Sequence, residues 1–351
     1  MLAGSGSSSL LEGSLHSAHI PLFCRPDTEI ENAFRVNSAI TAYLKARLVA
    51  RGLASHTNKA RSLYLDTANL DLFAAGFTVR DRLGGRTSGG EEFKEVFGLK
   101  YRHVVLQDAF DGIARQMPVS PHMRSSFAPF ARAEIERGLV YPRDSSELRF
   151  GDVPEDIQTP IIEKLGWSQA LDLVLKPWFL TVVNREQISC YVDPDQLKLS
   201  RGANSAAFEL SHIDVLPVPS RAMKARDRHL CFEISLDTCS YIKAPEGTQI
   251  RYIFSGEHDA GRVRTREFGT MKTMEFEFKP ERSGRNFNME EFVNSYMGFG
   301  MMLYRTARSM PKTSNQIFAR APSKAVGGFG KHPVVAARLQ KRFLAARRAA
   351  A

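Results

Sequence analysis

Apolar and polar residues alternate along many short segments of this chain and recur at helical spacing along few. In Asp27 to Asn37, Ile30, Phe34 and Val36 share one parity and Glu29 and Glu31 the other, which predicts a strand with one apolar and one wet face. Ser38 to Leu53 carries Ile40, Leu44 and Leu48 four residues apart, with Ser38 as N-cap and Gly52 as stop, and reads as a helix. Ser62 to Asp66 reads as a strand, followed by a loop or short helix as far as Gly76. Phe77 to Leu83, the Gly/Ser-rich turn Gly84 to Gly90 and a return strand from Glu92 to Val104 read as a hairpin. Further strands are expected at Arg132 to Val140, Phe179 to Val192, Gln196 to Leu199, Ala206 to Leu210, His229 to Asp237, Thr248 to Phe254 and Lys272 to Lys279. Pro118 to Pro129 is expected to be a loop, Ser168 to Leu175 a short helix, Met289 to Ala307 a helix and Gly327 to Gly330 a linker. Many strands, few helices and no βαβ alternation predict an α+β fold with a mainly antiparallel sheet.

The polar parities of these strands are unusually rich in charge. Arg80 and Arg82 lie opposite Phe77, Val79 and Leu83; Lys94 and Lys100 lie opposite Phe93, Phe97, Leu99 and Tyr101. Arg185 opposes Val182, Ile188, Cys190 and Val192. Glu233 and Asp237 oppose Phe232, Ile234 and Leu236, and Glu275, Glu277 and Lys279 oppose Met274, Phe276 and Phe278. An open sheet would turn such faces to solvent, whereas a closed barrel would enclose them. An enclosed set of Arg and Lys would bind a polyanion. Its carboxylates would then serve as ion-pair partners or as ligands for a bridging cation, a role suited to Mg²⁺, which takes carboxylate, water and phosphate oxygen together.

Composition sharpens this only in part. The formal net charge of +10 over 351 residues favours anionic partners without indicating a fold. The four cysteines form no CxxC pair and show no zinc spacing, so reduced thiols and a cytoplasmic location are expected. No apolar run approaches the ~20 residues of a membrane-spanning helix. There is no Walker loop, no GxGxxG after a strand, no HExxH and no GxSxG.

At these same residues the sequence resembles the triphosphate tunnel metalloenzyme superfamily, or CYTH-like domain, which includes inorganic triphosphatases, thiamine triphosphatases and class IV adenylate cyclases. Leu63 to Arg82 (LYLDTANLDLFAAGFTVRDR) is similar to the family's tyrosine–acid–threonine strand followed by a glycine and an arginine-bearing strand. Gly98 to Lys100 (GLK) resembles its hairpin-return lysine, Arg132 to Glu136 (RAEIE) its Arg-x-Glu element, and Arg185 the basic residue after its middle helix. Phe232 to Asp237 (FEISLD) and Met274 to Lys279 (MEFEFK) resemble its late carboxylate strands, and Pro311 to Ser314 (PKTS) its late lysine-bearing segment. The resemblance implies a closed antiparallel β-barrel of about eight strands with flanking helices.

It also implies roles. Arg80, Arg82, Lys94, Lys100, Arg132, Arg185 and Lys312 would bind the triphosphate. Glu29, Glu31 and Lys279 would be catalytic, and Glu29, Glu31, Glu275, Glu277 and Asp237 would hold Mg²⁺ or Mn²⁺, with Glu233 and Glu134 as further carboxylates for metal or water. The expected activity is metal-dependent hydrolysis of inorganic or small organic triphosphates; the alternatives are a non-catalytic polyanion-binding or structural member and a nucleotide cyclase. One departure stands out. The family's first strand reads Glu-x-Glu-x-Lys, and here Glu29 and Glu31 are followed by Ala33 in the lysine position, so that Lys279 or Lys94 is expected to substitute. The implied domain spans residues 21–320, after a flexible leader at 1–20, with insertions near 142–165 and 197–226. Residues 321–351 are expected to form a linker and a basic helix. There Val335, Leu339 and Phe343 oppose Arg338, Lys341, Arg342, Arg347 and Arg348, offering nucleic acid, an acidic surface or a protein partner a cationic face.

Overall fold

The computed structural model describes residues 22–25, 27–86, 92–138, 147–197, 210, 214–217, 229–244, 267–283, 287–310 and 319–335, with backbone alone for 22, 83–86, 92–95 and 319. Its strands are β1 (Thr28–Arg35), β2 (Ser55–Asp66), β3 (Thr78–Arg86), β4 (Glu92–Arg102), β5 (Phe130–Gly138), β6 (Leu148–Arg149), β7 (Val174–Val192), β8 (Val215–Pro217), β9 (Leu230–Lys243), β10 (Glu267–Phe278) and β11 (Ala319–Arg320). Eight of them form an antiparallel ring in the order β10-β9-β7-β2-β3-β4-β5-β1, closed by pairing of β1 with β10. The closing register sets Glu31 opposite Glu277 and Ala33 opposite Glu275. The closed barrel of an α+β fold, expected from the sequence, is thus present. Closure removes the free strand edges that an open sheet would expose.

The outward parities carry the apolar core. Helices α1 (Ser38–Val49), α3 (Val104–Gln116), α4 (Pro121–Phe127) and α7 (Met289–Arg308) cover one side of the barrel, where Ile30, Phe34, Ile188, Phe232, Ile234, Met274, Phe276 and Phe278 meet Leu44, Phe110, Phe292 and Phe299. Phe232 and Phe299 stack with centroids 4.1 Å apart. On the other side, α2 (Asp71–Ala74) and α5 (Glu155–Leu165) cover Leu63, Leu65, Val79, Phe97 and Leu99. Asp66 fixes α2 against the end of β2 by accepting the Thr67, Leu72 and Phe73 amides at 2.7, 3.0 and 2.8 Å.

Several local expectations are corrected. The loop expected at Pro118 to Pro129 contains α4, capped by the Ser120 hydroxyl with Pro121 in its first turn, a helix start that its shortness hid. No element was expected between Val104 and Pro118, where α3 lies. Helix α5 lies inside the polar, proline-containing stretch expected as an insertion; its buried Ile157 and Ile161 are four apart, and Pro160 sits within it. The helix expected at Ser168 to Leu175 is a run of turns leading into β7, and Gln196 and Leu197 belong to the one-turn helix α6 (Pro194–Leu197) rather than to a strand. Most importantly, Gly327 to Gly330 is not a linker but part of α8 (Lys324–Lys331), which packs into one end of the barrel. The expected strands at Ala206 to Leu210 (apart from Leu210) and Thr248 to Phe254, the leader and residues 336–351 of the basic tail lie outside the described residues.

At that end the inward parities are apolar. Tyr64, Phe179, Val183, Cys239, Tyr241 and Met271 pack with Ala325, Phe329 and Val335. A Cβ on Gly328 would lie 2.3 Å from the Phe179 ring, and one on Gly327 would lie 2.6 Å from the Tyr241 hydroxyl. These glycines read as flexible in sequence because the same residue type serves turns and close helix packing. Among the described residues no helix is long and apolar enough to cross a membrane, and all four cysteines are free thiols.

Candidate functional site

Beyond the apolar end, the barrel encloses a cavity of about 970 Å³ whose wall is made by the charged parities. β1 contributes Glu29, Glu31 and Ala33; β3 contributes Arg80 and Arg82; β4 contributes Lys100; β5 contributes Arg132, Glu134 and Glu136. β7 contributes Arg185 and Gln187, β9 Glu233 and Ser235, and β10 Glu275, Glu277 and Lys279. One-residue alternation does the placing: Arg80 and Arg82 face the cavity, whereas Val79, next to Arg80 on β3, packs outward.

The charges interlock. On the β3–β4–β5 wall, Arg80 donates to Glu134 at 2.8 Å and Glu136 at 3.1 Å, Arg82 donates to Glu136 at 3.0 Å, and Lys100 lies 2.7 Å from Glu29 and 3.1 Å from Glu134. Arg132 pairs with Glu31. On the β7–β9–β10 wall, Arg185 grips Asp237 through Nε at 2.9 Å and Nη2 at 2.7 Å, and reaches Glu275 at 3.0 Å. Lys279 lies 2.6 Å from Glu277 and 3.8 Å from Glu233, whose carboxylate also accepts from Gln187 at 2.8 Å. The Nε atoms of Arg80 and Arg82 are buried and have no hydrogen-bond acceptor among the described residues.

A further cation arrives from outside the strands. Lys324, the first residue of α8, bonds to Glu275 and lies 2.9 Å from Asp237. Just before it, β11 pairs with the end of β1, and the Ala321 amide donates to the Ala33 carbonyl at 2.8 Å. Burial opposes charge on Lys324, but Glu275 and Asp237 outweigh it and raise its affinity for a proton.

The carboxylates fall into two groups. Burial pushes Glu29, Glu31, Glu134, Glu136, Asp237 and Glu277 up. For Glu29, Lys100 and Arg132 outweigh burial and hold it well below the usual range; for Glu136, Arg80 and Arg82 do so; for Asp237, Lys324 and Arg185 do so. For Glu31, burial and the Glu29 charge prevail over Arg132, and the group is raised. Glu134 is raised by burial and by Glu29 despite Lys100 and Arg80. Glu277 is raised to about 8 by burial, with Glu29 and Glu233 adding to it and Lys279 opposing.

The structure brings together Glu29, Glu31, Arg80, Arg82, Lys100, Arg132, Arg185, Glu275, Glu277 and Lys279 around this one cavity. Asp237 belongs to the same network, but its side chain is fully covered, held by Arg185 and Lys324. The side chain of Lys94, and Lys312 altogether, lie outside the described residues. Lys279 pairs with Glu277 and Glu233, while Glu275, across from Ala33, is bonded by Lys324 and Arg185. Sequence reasoning assigned no role to Gln187, Ser235 or Lys324. Gln187 and Ser235 share parity with Arg185 and Glu233 and were legible in principle; Lys324 follows no strand pattern.

Among the described residues no three Asp, Glu, His or Cys side chains converge as a metal cage. Glu31 stands opposite Glu277 in the β1–β10 register, and both are raised. Two carboxylates, with waters and ligand phosphates completing the shell, is the arrangement Mg²⁺ uses when bound with a substrate, so this pair fits a divalent ion.

No protein-family model matches the sequence, and no curated protein matches it. Among solved structures, the chain is similar to a candidate adenylyl cyclase from Hippeastrum described as having a dominant triphosphatase activity, at 15% identity and a TM-score of 0.40, covering 86% of this chain and 96% of that one. It is also similar to a candidate adenylate cyclase from Bacillus halodurans at 12% identity and a TM-score of 0.35, covering 83% and 96%. A third similarity is to the mimivirus capping enzyme triphosphatase, at 7% identity and a TM-score of 0.32, covering 79% and 89%. Similarities this distant carry no information about activity.

Proposed function

We propose that the cavity binds the triphosphate group of a small compound and hydrolyses its phosphoanhydride with the help of a divalent cation. The observation that carries this reading is the enclosed set of Arg80, Arg82, Lys100, Arg132, Arg185 and Lys279, turned inward from different sides of one closed barrel. Arginine offers forked donors that match phosphate oxygens, and lysine offers a compact charge.

The wall charges nearly cancel, and this shapes the chemistry. A triphosphate brings several negative charges into a cavity whose cations already hold carboxylates. Arg80 and Lys100 must exchange Glu134 for phosphate oxygens, and the released carboxylate must then take up a proton or a cation. Glu31 and Glu277 would hold Mg²⁺ or Mn²⁺, with Glu29 beside them. That ion would supply neutralisation of the phosphate charge and orientation of the attacking water. The wall residues do the rest: they fix the chain of phosphates in line and exclude bulk water, since phosphoryl transfer depends mainly on positioning and charge stabilisation.

Tripolyphosphate with Mg²⁺ is expected to raise the melting temperature of the protein and to be hydrolysed with phosphate release. Arg80→Ala together with Arg82→Ala is expected to abolish both while the protein remains folded. A wild-type protein whose melting is unmoved by tripolyphosphate, ATP and thiamine triphosphate, with and without Mg²⁺, contradicts the binding site. Ala33 favours a second reading, binding without turnover; stabilisation without phosphate release or cyclic nucleotide would single it out.

A further inference from the structure

A second cavity, of about 470 Å³, lies outside the barrel, bounded by α3, α4 and the ends of β4, β5 and β11. Four arginines line it, Arg102, Arg115, Arg124 and Arg320, against one carboxylate, Asp111. Arg102, Phe130 and Arg320 border the barrel cavity as well, so the two cavities adjoin. These arginines are bonded differently from those inside the barrel. Arg115 donates through Nε to the Asp111 carbonyl at 3.0 Å, and Arg320 donates through Nη1 to the Ser125 carbonyl at 3.1 Å. Arg124 donates through Nε to the Val119 carbonyl at 3.1 Å and through Nη1 to the Arg115 carbonyl at 2.8 Å. The Arg320 guanidinium also lies over the Phe130 ring, 5.3 Å from its centroid. Carbonyls fix a guanidinium in place without cancelling its charge. Among the described residues, the only carboxylate contacts of the four are the long ones of Arg102, to Asp108 at 3.5 Å and Asp111 at 3.7 Å.

Packing explains only part of this. Arg124 ties the end of α3 to the start of α4, which is reason enough for its presence. It does not explain three more guanidinium groups brought to the same cavity from α3, β4 and β11, where like charges repel. Nor is the neutral chemistry of the lining free for a ligand. The Gln107 amide nitrogen donates to Asp111 at 2.9 Å and to the Pro129 carbonyl at 3.1 Å, its oxygen accepts the Ala131 amide at 2.9 Å, and the Ser125 hydroxyl donates to the His122 carbonyl at 2.9 Å. What remains to meet a ligand is guanidinium charge, the partner of phosphate oxygens. The volume suits a small molecule rather than a bare ion. We infer that this cavity is a second anion site, outside the barrel and distinct from the triphosphate cavity, which takes a small phosphate anion of the size of pyrophosphate among Arg102, Arg115, Arg124 and Arg320. The inference does not depend on what the barrel binds.

Pyrophosphate with a chelator present, so that no divalent ion takes part, is the probe. Binding is read by calorimetry at low ionic strength, where charge-driven association is strongest. Arg115→Gln and Arg115→Glu are made in wild type and in Arg80→Ala/Arg82→Ala, and Arg149→Gln removes one exposed cation elsewhere as a control for net charge. Arg115 is exposed and its Nε bond stays within its own helix, so its variants are expected to melt with their parents. The Arg80→Ala/Arg82→Ala protein is expected to keep binding pyrophosphate. Arg115→Gln is expected to weaken that binding about tenfold, the loss of one charge-assisted contact. Arg115→Glu, which sets a carboxylate among the remaining arginines, is expected to abolish it, and Arg149→Gln to leave it within about twofold. In the wild-type background, Arg115→Glu is expected to remove one pyrophosphate per chain and leave any held by the barrel. Absence of pyrophosphate binding by wild type overturns the inference, as does an effect of Arg115→Gln no larger than that of Arg149→Gln. Binding by wild type that Arg80→Ala/Arg82→Ala eliminates also overturns it, since the outer cavity would then be only the mouth of the inner one. Failure of tripolyphosphate to bind the barrel, with pyrophosphate binding still sensitive to Arg115, removes the triphosphate reading and leaves this site standing.

Discussion

Two corners of one cavity, both built from carboxylates on neighbouring strands, are arranged to opposite ends. At the β7–β9–β10 corner, Asp237 is fully covered, takes two hydrogen bonds from Arg185 and a third contact from Lys324, and is held ionised below the usual carboxylate range. At the β1–β10 corner, Glu31 and Glu277 face each other in register, each with a single cation close by, and both are pushed up. At the first corner Asp237 is neutralised within the protein and is left neither a proton nor a metal to take up. At the second, burial and the nearby Glu29 charge push both carboxylates up, an arrangement that costs stability in the free protein and is relieved by a proton or a metal. Stability and responsiveness are thus separated by a few residues along β10, with Glu275 on one side and Glu277 on the other.

The largest effect that would break this contrast is expected at Asp237. Asp237→Ala leaves Arg185 and Lys324 buried without their shared partner, and removing one member of a buried pair typically costs about 3–5 kcal/mol. Urea unfolding is expected to register a loss of that order. A loss near zero would mean that Asp237 is no more committed than its neighbours.

Glu277 should behave in the opposite sense. Its folded-state pKa of about 8 lies above the ordinary carboxylate value of 4.5, so the folded protein binds the extra proton between those two values. Its contribution is therefore fully present below pH 4.5 and is lost as the pH rises through about 8. Glu277→Gln, which resembles the protonated form, is expected to flatten this fall and to leave the ligand-free protein at least as stable as wild type above pH 8, as read by melting temperature against pH. The same substitution is expected to remove most of the Mg²⁺ dependence of tripolyphosphate binding. In wild type that Mg²⁺ dependence is expected to strengthen as the pH rises toward 8, because the ion competes with the proton for Glu277. A Glu277→Gln protein less stable than wild type at every pH would put Glu277 with Asp237.

How much of this was legible in the sequence follows from the periods involved. A strand's two-residue period sorts side chains to two faces, and that alone gathered Arg80, Arg82, Lys100, Arg185, Glu275 and Glu277 onto one set of faces before any closure was known. It did not distinguish the corners, because Asp237 and Glu277 are both acids on polar parities; only cross-strand register reveals that one meets an arginine and the other a carboxylate. Nor did it anticipate that the inward face of β7 begins with Phe179 and Val183, since a plugged barrel end has apolar residues on both faces. Helix α4 escaped for a different reason: a short helix seated on a sheet needs only one or two buried residues, here Phe127, and leaves little pattern, whereas α3 was legible in principle, since its buried Leu106, Phe110 and Ala114 recur every four residues. Lys324 was out of reach because its position depends on β11 and α8 docking across nearly the whole length of the chain.

The smallest expected effect tests the alternation itself. Arg185 and Glu186 are adjacent on β7, and the pleat sends them to opposite faces: Arg185 to the cavity, Glu186 outward to Lys45 on α1. The lysine side chain of the outer pair is 44% exposed, and ion pairs open to solvent contribute about 0–1 kcal/mol. Lys45→Ala, Glu186→Ala and their double variant are therefore expected to shift urea unfolding by no more than that amount, with a coupling close to zero. Tripolyphosphate binding should be unchanged in all three, whereas Arg185→Ala should weaken it despite lying one residue away. If Glu186→Ala weakened binding as strongly as Arg185→Ala, the cavity would be responding to net charge near the barrel rather than to the face on which a charge sits, and the distinction between inner corners and outer wall would lose its physical basis.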